Sequence, residues 1–478
     1  MSLRYSFLAR LGLAVFMAGL ADALLYESDA GLSLALYGLC LGIALIAVRP
    51  DVLGHGRALG ALAVAALSLL SLVEEPGALA LLLFVAAMAA AALLPRAPRG
   101  LNAWRGLQAV LIRGLTVPFV LGADLARVQA RLKAGPSPAQ TMALLALPLL
   151  GGLSFILLFA SANPLVDRAL SLFPLAGLLA EVTLGRCLLW VFALLFAYGL
   201  FRPVSLPWRR PQAKAPVEWL GLSVASVRLS LILFNLLFAI ENGLDLAFLW
   251  QGAALPEGVT LADYAHRGAY PLIVTALLAG VLALVMLRPG TASARDPLLR
   301  RLLLLWVGQN MLLVASSMRR TIDYIESYSL TELRLLALVW MALVALGLGL
   351  ICWRLFRGKS GAWLINANGF AALVTVLVLM LAVDPAAVVA AWNTTHNREV
   401  SGEGASIDWY YLGKLDDAAL LPLIALEREA VDPAVRAEAA ALRAKIRHRL
   451  ENRQADPATW SFRGARRLAA ARALLARD

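Results

Sequence analysis

The chain has 478 residues, of which 61% are apolar and 15% are charged, and its mean hydropathy is +0.76. A soluble protein of this length could not bury so much apolar surface, so a soluble fold is excluded and most of the chain must face lipid. The net charge of +12 does not indicate nucleic-acid binding, because many basic residues lie in short segments between apolar runs, as membrane topology signals do.

Apolar runs of about 17 to 22 residues recur along the chain, and a helix of that length crosses the hydrocarbon of a bilayer. A β-barrel would show shorter alternating segments, so the predicted fold class is all-α, a polytopic helical membrane protein. We predict about eleven spans, the first of which also serves as a signal anchor. They are placed at 7–25, 31–48, 58–73, 77–95, 141–160, 184–201, 220–240, 271–287, 302–317, 335–353 and 363–382.

Basic residues set the predicted orientation of these spans. With the N-terminus in the cytoplasm, the inside segments hold 21 Lys and Arg, and the outside loops before the last span hold five. Acidic residues show the opposite bias, with four inside and thirteen outside. The positive-inside rule therefore predicts a cytoplasmic N-terminus and, with an odd number of spans, a C-terminus outside the membrane.

The segment 96–140 contains a stretch whose position relative to the membrane is open. Residues 107–123 are mostly apolar but are interrupted by Arg113 and Pro118. As a twelfth span, this stretch would place the basic residues after it outside, so we favour an interfacial amphipathic helix on the cytoplasmic face. Its basic residues are then expected to contact anionic lipid.

The composition changes after Ala382, because residues 384–478 carry fourteen basic and thirteen acidic residues with Ala and Leu at helical spacing. Asp-Pro pairs begin at Asp384, Asp432 and Asp456, and Asp before a first-turn Pro is typical of a helix start. We predict about four helices here, forming an outer domain that binds an envelope protein partner. The predicted regions are four spans in 1–95, the cytoplasmic segment 96–140, a seven-span core in 141–382 and the outer domain 384–478.

Three motifs resemble those of a known family. Residues 255–268 are similar to a loop written P-x-G-x-T-x-A-E-Y-A-R-R-G-F, and residues 316–334 are similar to S-A-x-x-R-L-x-L-Y…Y-G-L-T-x-L-R. Residues 407–418 resemble an L-D-x-x-Y-L…D-A sequence. The family is the bacterial membrane family called domain of unknown function 4173, or the related domain of unknown function 4153. The resemblance implies a multi-span protein of a bacterial inner membrane and implies no particular activity.

The chain departs from this family pattern at several positions. Asp263 stands in place of a Glu, His266 in place of an Arg, and Ala269 in place of a Phe. Ser329 stands where the family has a Gly. The departures weaken any family role for His266.

Charged side chains inside spans are costly in lipid, so they usually have a partner or mark a functional site. For Asp22 we expect a partner on another helix or a place close to the outer interface. For Arg186 and Arg228 we expect structural pairing, with ligand contact as the alternative.

Polar side chains gather at the predicted outer ends of the later spans. Aromatic and His side chains among paired charges could form a cleft for a zwitterionic or anionic ligand, such as a lipid headgroup or an envelope sugar. The alternative is an interfacial belt of aromatic residues and salt-bridged loops. The candidate ligand-binding residues are Arg228, Glu241, Asn242, Asp245, Asp263, Tyr264, His266, Arg267, Arg319, Tyr324, Tyr328 and Arg334.

No catalytic signature is found, so no catalytic residue, cofactor or metal site is predicted. The favoured function is a non-catalytic envelope scaffold or sensor. One alternative is a transporter of a small polar or anionic solute, for which Gln309 and Asn310 are weak candidates. Another is a lipid-linked transferase with Asp263 or His266 as base.

Overall fold

The computed structural model describes residues 7–26, 32–74, 77–98, 100–131, 183–202, 224–250, 296–402, 404–456 and 459–476. Every regular element in these ranges is helical. We number their α-helices in chain order. They are α1 (Phe7–Leu25), α2 (Leu32–Val48), α3 (Gly56–Glu74), α4 (Ala78–Leu93), α5 (Ala103–Arg131), α6 (Leu184–Phe201), α7 (Val224–Asp245), α8 (Pro297–Tyr328), α9 (Glu332–Arg357), α10 (Gly361–Leu381), α11 (Pro385–Thr395), α12 (Arg398–Ser401), α13 (Trp409–Lys414), α14 (Leu420–Glu429), α15 (Pro433–Ala455) and α16 (Phe462–Leu475).

Eight of the described helices are long and apolar enough to cross a membrane, and this confirms a multi-pass membrane protein. The shorter apolar helices α2 and α6 also coincide with predicted spans. The predicted spans 141–160 and 271–287 lie outside the described residues, so the number eleven stays a prediction. One of the eight is α5, which satisfies the criteria of length and composition over Ala103–Leu125.

The described residues fall into two compact units, of which the first comprises 1–101, 105–208 and 454–462. Its core is rich in small side chains such as Ala14, Ala21 and Ala91, which let helix backbones approach closely. At Gly38 an added Cβ atom would meet the side chains of Leu69 on α3 and Phe84 on α4, so glycine lets α2 pack closely against both helices. Close helix packing therefore holds this unit together.

An ion pair joins α1 to α6 in this unit. Asp22 Oδ1 and Oδ2 accept hydrogen bonds from Arg186 Nε (2.6 Å) and Nη2 (2.7 Å), and Oδ1 also accepts one from Trp190 Nε1 (2.8 Å). At the opposite end of α1, the ring of Phe7 lies 6.3 Å from that of Tyr198. The two helices are thus antiparallel, and the expected interhelical partners of Asp22 and Arg186 are confirmed.

The second unit comprises 102–104, 209–453 and 463–478. A first core joins α7, α8 and α9 around Trp306, whose ring contacts Phe234 (5.3 Å) and Phe238 (5.7 Å). A second core joins α11 and the later helices around Leu420, Leu423 and other apolar side chains.

The predicted helix starts in the C-terminal region are confirmed in two of three cases. Asp384 caps α11 by accepting from Ala387 N (3.0 Å), and Asp432 accepts from Ala434 N (2.8 Å) where α15 begins. Asp456 instead follows the end of α15, and the next described helix begins at Phe462. The number of described helices after α10 is six and not about four, because Asn397 and Asp408 cap two short helices that have no proline signal.

A charge network fixes the last helix of this region. Arg467 on α16 bonds the carboxylates of Asp384 and Asp417, the second at 2.5 Å, and Arg453 also bonds Asp417 (2.9 Å). Burial by itself would raise the pKa of Asp417, but the guanidinium groups of Arg467 and Arg453 outweigh burial and hold that pKa below its usual range. The stabilisation is therefore fully present above about pH 4 and is lost only as the pH falls through the lower folded pKa.

Candidate functional site

A column of polar side chains lies between α7 and α8. The helices are parallel, since Arg228 pairs with Asp296 (2.9 Å) at their starts and Asp245 pairs with Arg320 towards their ends. On each helix, buried residues recur at intervals of mostly three or four positions, as they do at the interface of a coiled coil. We call this interface between α7 and α8 the seam. The buried residues include Val227, Leu231, Asn235, Asn242 and Asp245 on α7, and Leu299, Leu303, Trp306, Asn310, Leu313, Ser317 and Arg320 on α8.

Amide side chains link the two helices through the middle of this seam. Asn235 Nδ2 donates to the carbonyls of Leu231 (2.7 Å) and Leu302 (3.0 Å). Gln309 Nε2 donates to Asn235 Oδ1 (2.8 Å), and Asn242 Nδ2 donates to the Gln309 carbonyl (3.2 Å). Lipid offers no competing partner for these groups, so the bonds fix the register of the two helices.

Three buried amide oxygens in the same seam accept no hydrogen bond from the residues that the structure describes: Asn242 Oδ1, Gln309 Oε1 and Asn310 Oδ1. An unsatisfied acceptor in apolar surroundings raises the free energy of the folded state.

A buried ion pair closes the seam at its far end. The side chains of Asp245 and Arg320 are 1% and 6% exposed, and Trp250 Nε1 donates to Ser316 Oγ (3.2 Å) close by. Arg320 is absent from the sequence-predicted site. It nevertheless continues the series of buried positions on α8, because it follows the buried Ser317 by three residues, as Leu313 follows the buried Asn310. That repeat is the signal that distinguishes Arg320 from the exposed Arg319 beside it.

A second polar group surrounds the turn between α8 and α9. Arg319 pairs with Asp323 (3.0 Å), and the rings of Tyr324 and Tyr328 lie 4.7 Å apart. The guanidinium of Arg334 lies 4.3 Å from the centre of the Tyr324 ring. Arg319 and Tyr328 are exposed, whereas Asp323, Tyr324 and Arg334 are half-buried, and the charged groups are paired with one another or with the tyrosine rings.

The turn itself has a strained backbone at Ser329, with a φ of 67° and a ψ of 163°. Side chains disfavour this region, and glycine adopts it readily. This conformation explains why the family motif has a glycine where this chain has Ser329. Arg334 helps to hold the turn, because it donates to the carbonyls of Tyr328 (2.8 Å) and Ser329.

The variant Ser329→Gly is expected to stabilise the protein by about 1 kcal/mol, because it relieves this strain. The measurement is the midpoint of thermal unfolding in detergent. Ser327→Gly, in the helix just before the turn, is the control and should lower the midpoint. A lower midpoint for Ser329→Gly as well would show that the turn is not strained.

The C-terminal helices also hold this turn. Asn393 on α11 accepts from Leu330 N and donates to Leu330 O, both at 2.8 Å, and Tyr411 accepts from Glu332 N (3.0 Å) through its hydroxyl. Ile325 and Leu330 pack into the same core as Val389. The C-terminal region thus shares its core with the α8–α9 turn.

The structure divides the predicted ligand-binding residues among several places. Arg228 lies at the start of α7, about 25 Å along the helix from Asp245, so it does not belong to the same cluster. Glu241 is exposed near the end of α7. Asn242 and Asp245 belong to the seam, Arg319, Tyr324, Tyr328 and Arg334 belong to the turn, and Asp263, Tyr264, His266 and Arg267 lie outside the described residues. Within the described ranges, no three His, Cys, Asp or Glu side chains could hold a metal ion.

A family model described as "Domain of unknown function (DUF4153)" matches residues 61–426, which is well over half of the chain. The chain belongs to this family. Of the two related families that the motifs resemble, DUF4153 is therefore shown and 4173 is not, because short loop motifs do not separate related families. This DUF4153 member matches no curated protein and no solved structure. The matched region includes the seam, the α8–α9 turn and Asn393, and it ends before α15 and α16.

Proposed function

We propose that this DUF4153 member is a non-catalytic scaffold or sensor of the bacterial inner membrane. The C-terminal helices α11–α16 bind an envelope partner outside the membrane, and that binding is coupled to α8 and α9. The distribution of 21 basic residues in alternate segments, against five in the others, supports the orientation.

The strained α8–α9 turn carries this proposal. A strained backbone persists where surrounding contacts over-determine it, and here Asn393 and Tyr411 from the C-terminal helices supply those contacts. A partner that displaces α11 would release Leu330, and the turn would relax. Such an element responds to an event outside the membrane and changes the ends of two membrane helices.

The test uses the full chain, because residues 384–478 alone lack Ile325 and Leu330 from their core. A photoreactive residue replaces Tyr410 on α13 or Val431 between α14 and α15, which are 74% and 86% exposed. We expect the same envelope partner to be cross-linked from both positions. The matched control places the photoreactive residue at Leu236, an exposed apolar residue on α7, where it should not cross-link that partner.

Coupling is measured by amide hydrogen exchange over residues 328–335, with and without the captured partner. We expect exchange there to change about tenfold or more when the partner is bound. In Asn393→Ala the partner should still bind, but the response of the turn should be lost, whereas Thr395→Ala on the exposed side of α11 should keep both. The proposal would be contradicted if the two positions cross-linked no common partner, or if hydrogen exchange over residues 328–335 were the same with and without the partner.

A further inference from the structure

We infer that α5 lies in the membrane interface at the Arg202 end of α6 and binds the lipid bilayer through its exposed apolar face. The inference concerns the first unit and does not depend on the proposed function.

Polar contacts fix how α5 meets α6. Arg113 Nη2 donates to the Gly199 carbonyl (3.3 Å). Asp124 accepts from the Tyr198 hydroxyl (2.6 Å) and from Arg202 Nη2 (2.9 Å). The contacts therefore join two places on α5 to a single short stretch of α6.

The spacing of these contacts shows that α5 crosses the end of α6. Arg113 and Asp124 are separated by about 16 Å of helical rise, whereas their partners Gly199 and Arg202 on α6 are separated by about 5 Å. Two helices that ran side by side would show equal separations. Because Asp124 is still at the Arg202 end of α6, α5 does not extend along α6 towards the other side of the membrane.

The direction of α6 gives an independent argument. Because α1 and α6 are antiparallel, an even number of crossings must lie between them. The helices α2, α3 and α4 and the predicted span 141–160 already make four. A crossing by α5 would make five and would turn α6 parallel to α1.

One face of α5 contacts α6, and within the described part of the chain the opposite face is exposed. Val117 packs so closely on α6 that a Cβ at Gly199 would lie 2.9 Å from its Cγ2 atom, and Arg113 is 5% exposed on the same face. The opposite face is apolar and repeats every four residues. Its exposed residues are Leu107 (48%), Leu111 (58%), Leu115 (76%) and Phe119 (78%).

Charge fits an anionic lipid surface. Arg105 and Arg127 are exposed on α5 outside the apolar stripe, and Arg127 also pairs with Asp124 (2.8 Å). Cationic side chains on the polar part of an amphipathic helix are typical of helices that lie in the headgroup region. Arg113, which the sequence suggested as a contact for headgroups, instead bonds the last turn of α6. The lipid is therefore held mainly by the apolar face.

The test places a nitroxide label on the full-length protein, one position at a time. Cys40, Cys187 and Cys352 are first replaced by Ser. Labels then replace Leu107, Leu111, Leu115 and Phe119 on α5, and Leu229, Leu233, Leu236 and Ile240 on α7 as the matched control, since all eight are exposed apolar residues. The protein is reconstituted in phosphatidylcholine–phosphatidylglycerol bilayers, and label depth is measured from collision with oxygen and with a water-soluble nickel complex.

We expect the four α5 labels to lie at one depth, about 5–10 Å below the phosphates, because an interfacial helix is parallel to the surface. The α7 labels should change depth by about 5 Å per turn. A depth gradient on α5 equal to that on α7 would show a span and overturn the inference. Full access of the α5 labels to the nickel complex would also overturn it, because the face would then contact water.

Discussion

Replacing Arg320 with Gln is expected to destabilise the protein by about 3–5 kcal/mol, because it leaves the carboxylate of Asp245 buried without its guanidinium partner. Asp245 and Arg320 are 1% and 6% exposed, so water cannot replace the lost partner. The seam between α7 and α8 should open at this end, since the pair joins the two helices directly.

The measurement is thermal unfolding in detergent for a double-mutant cycle. Asp245→Asn and Arg320→Gln should each lower the midpoint, and the double variant should recover part of the loss because no buried charge remains. Arg319→Gln is the matched control. Arg319 is 48% exposed, and its ion pair among the described residues is with Asp323 on the same helix, so its loss should cost about 0–1 kcal/mol. Equal losses at the two neighbouring arginines would show that Arg320 is not buried with Asp245.

Replacing Arg467 with Met should detach α16 from the C-terminal core. Arg467 is 8% exposed and contacts the carboxylates of both Asp384 and Asp417. Met keeps most of the side-chain volume and removes the charge, so two half-buried carboxylates lose a shared partner. A loss of about 1–3 kcal/mol is expected, because Arg463 still lies 3.6 Å from Asp384 and Arg453 still bonds Asp417.

Limited proteolysis of the full chain checks this result, with cleavage expected between α15 and α16. Arg472→Met is the control on the same helix, because Arg472 is 64% exposed and pairs with Glu451 at 3.5 Å. It should leave the cleavage rate within about twofold of the parent protein, since exposed pairs contribute little. A protease-resistant Arg467→Met protein would show that the two acids do not depend on this arginine.

Membrane helices and helix starts were predictable because local chemistry determines them. A run of apolar residues that is long enough to cross a bilayer has no other stable structure in lipid, so α1, α7 and α9 follow from the sequence. The Asp-Pro starts of α11 and α15 follow from the geometry of the first helical turn. The third Asp-Pro pair begins no described helix, since α15 ends at Ala455 and the next described helix begins at Phe462.

The candidate site was less predictable, because it depends on which helix faces meet. Arg228 and Asp245 share α7 but lie at its two ends, and their partners Asp296 and Arg320 are distant in sequence. Sequence position alone also assigned α6 to the later spans, whereas its Arg186 pairs with Asp22 on α1. Pairing between distant spans is set by packing, and hydropathy carries no information about it.

The sequence by itself determined the class of protein, the place of most spans and the change of composition after Ala382, because each depends on transfer of local segments between water and lipid. Only the tertiary structure decided that the C-terminal helices share a core with Ile325 and Leu330 and hold Ser329 at a positive φ. Those features arise from contacts between residues more than sixty positions apart, such as Leu330 and Asn393, and the free energy of such contacts exists only once both segments have folded.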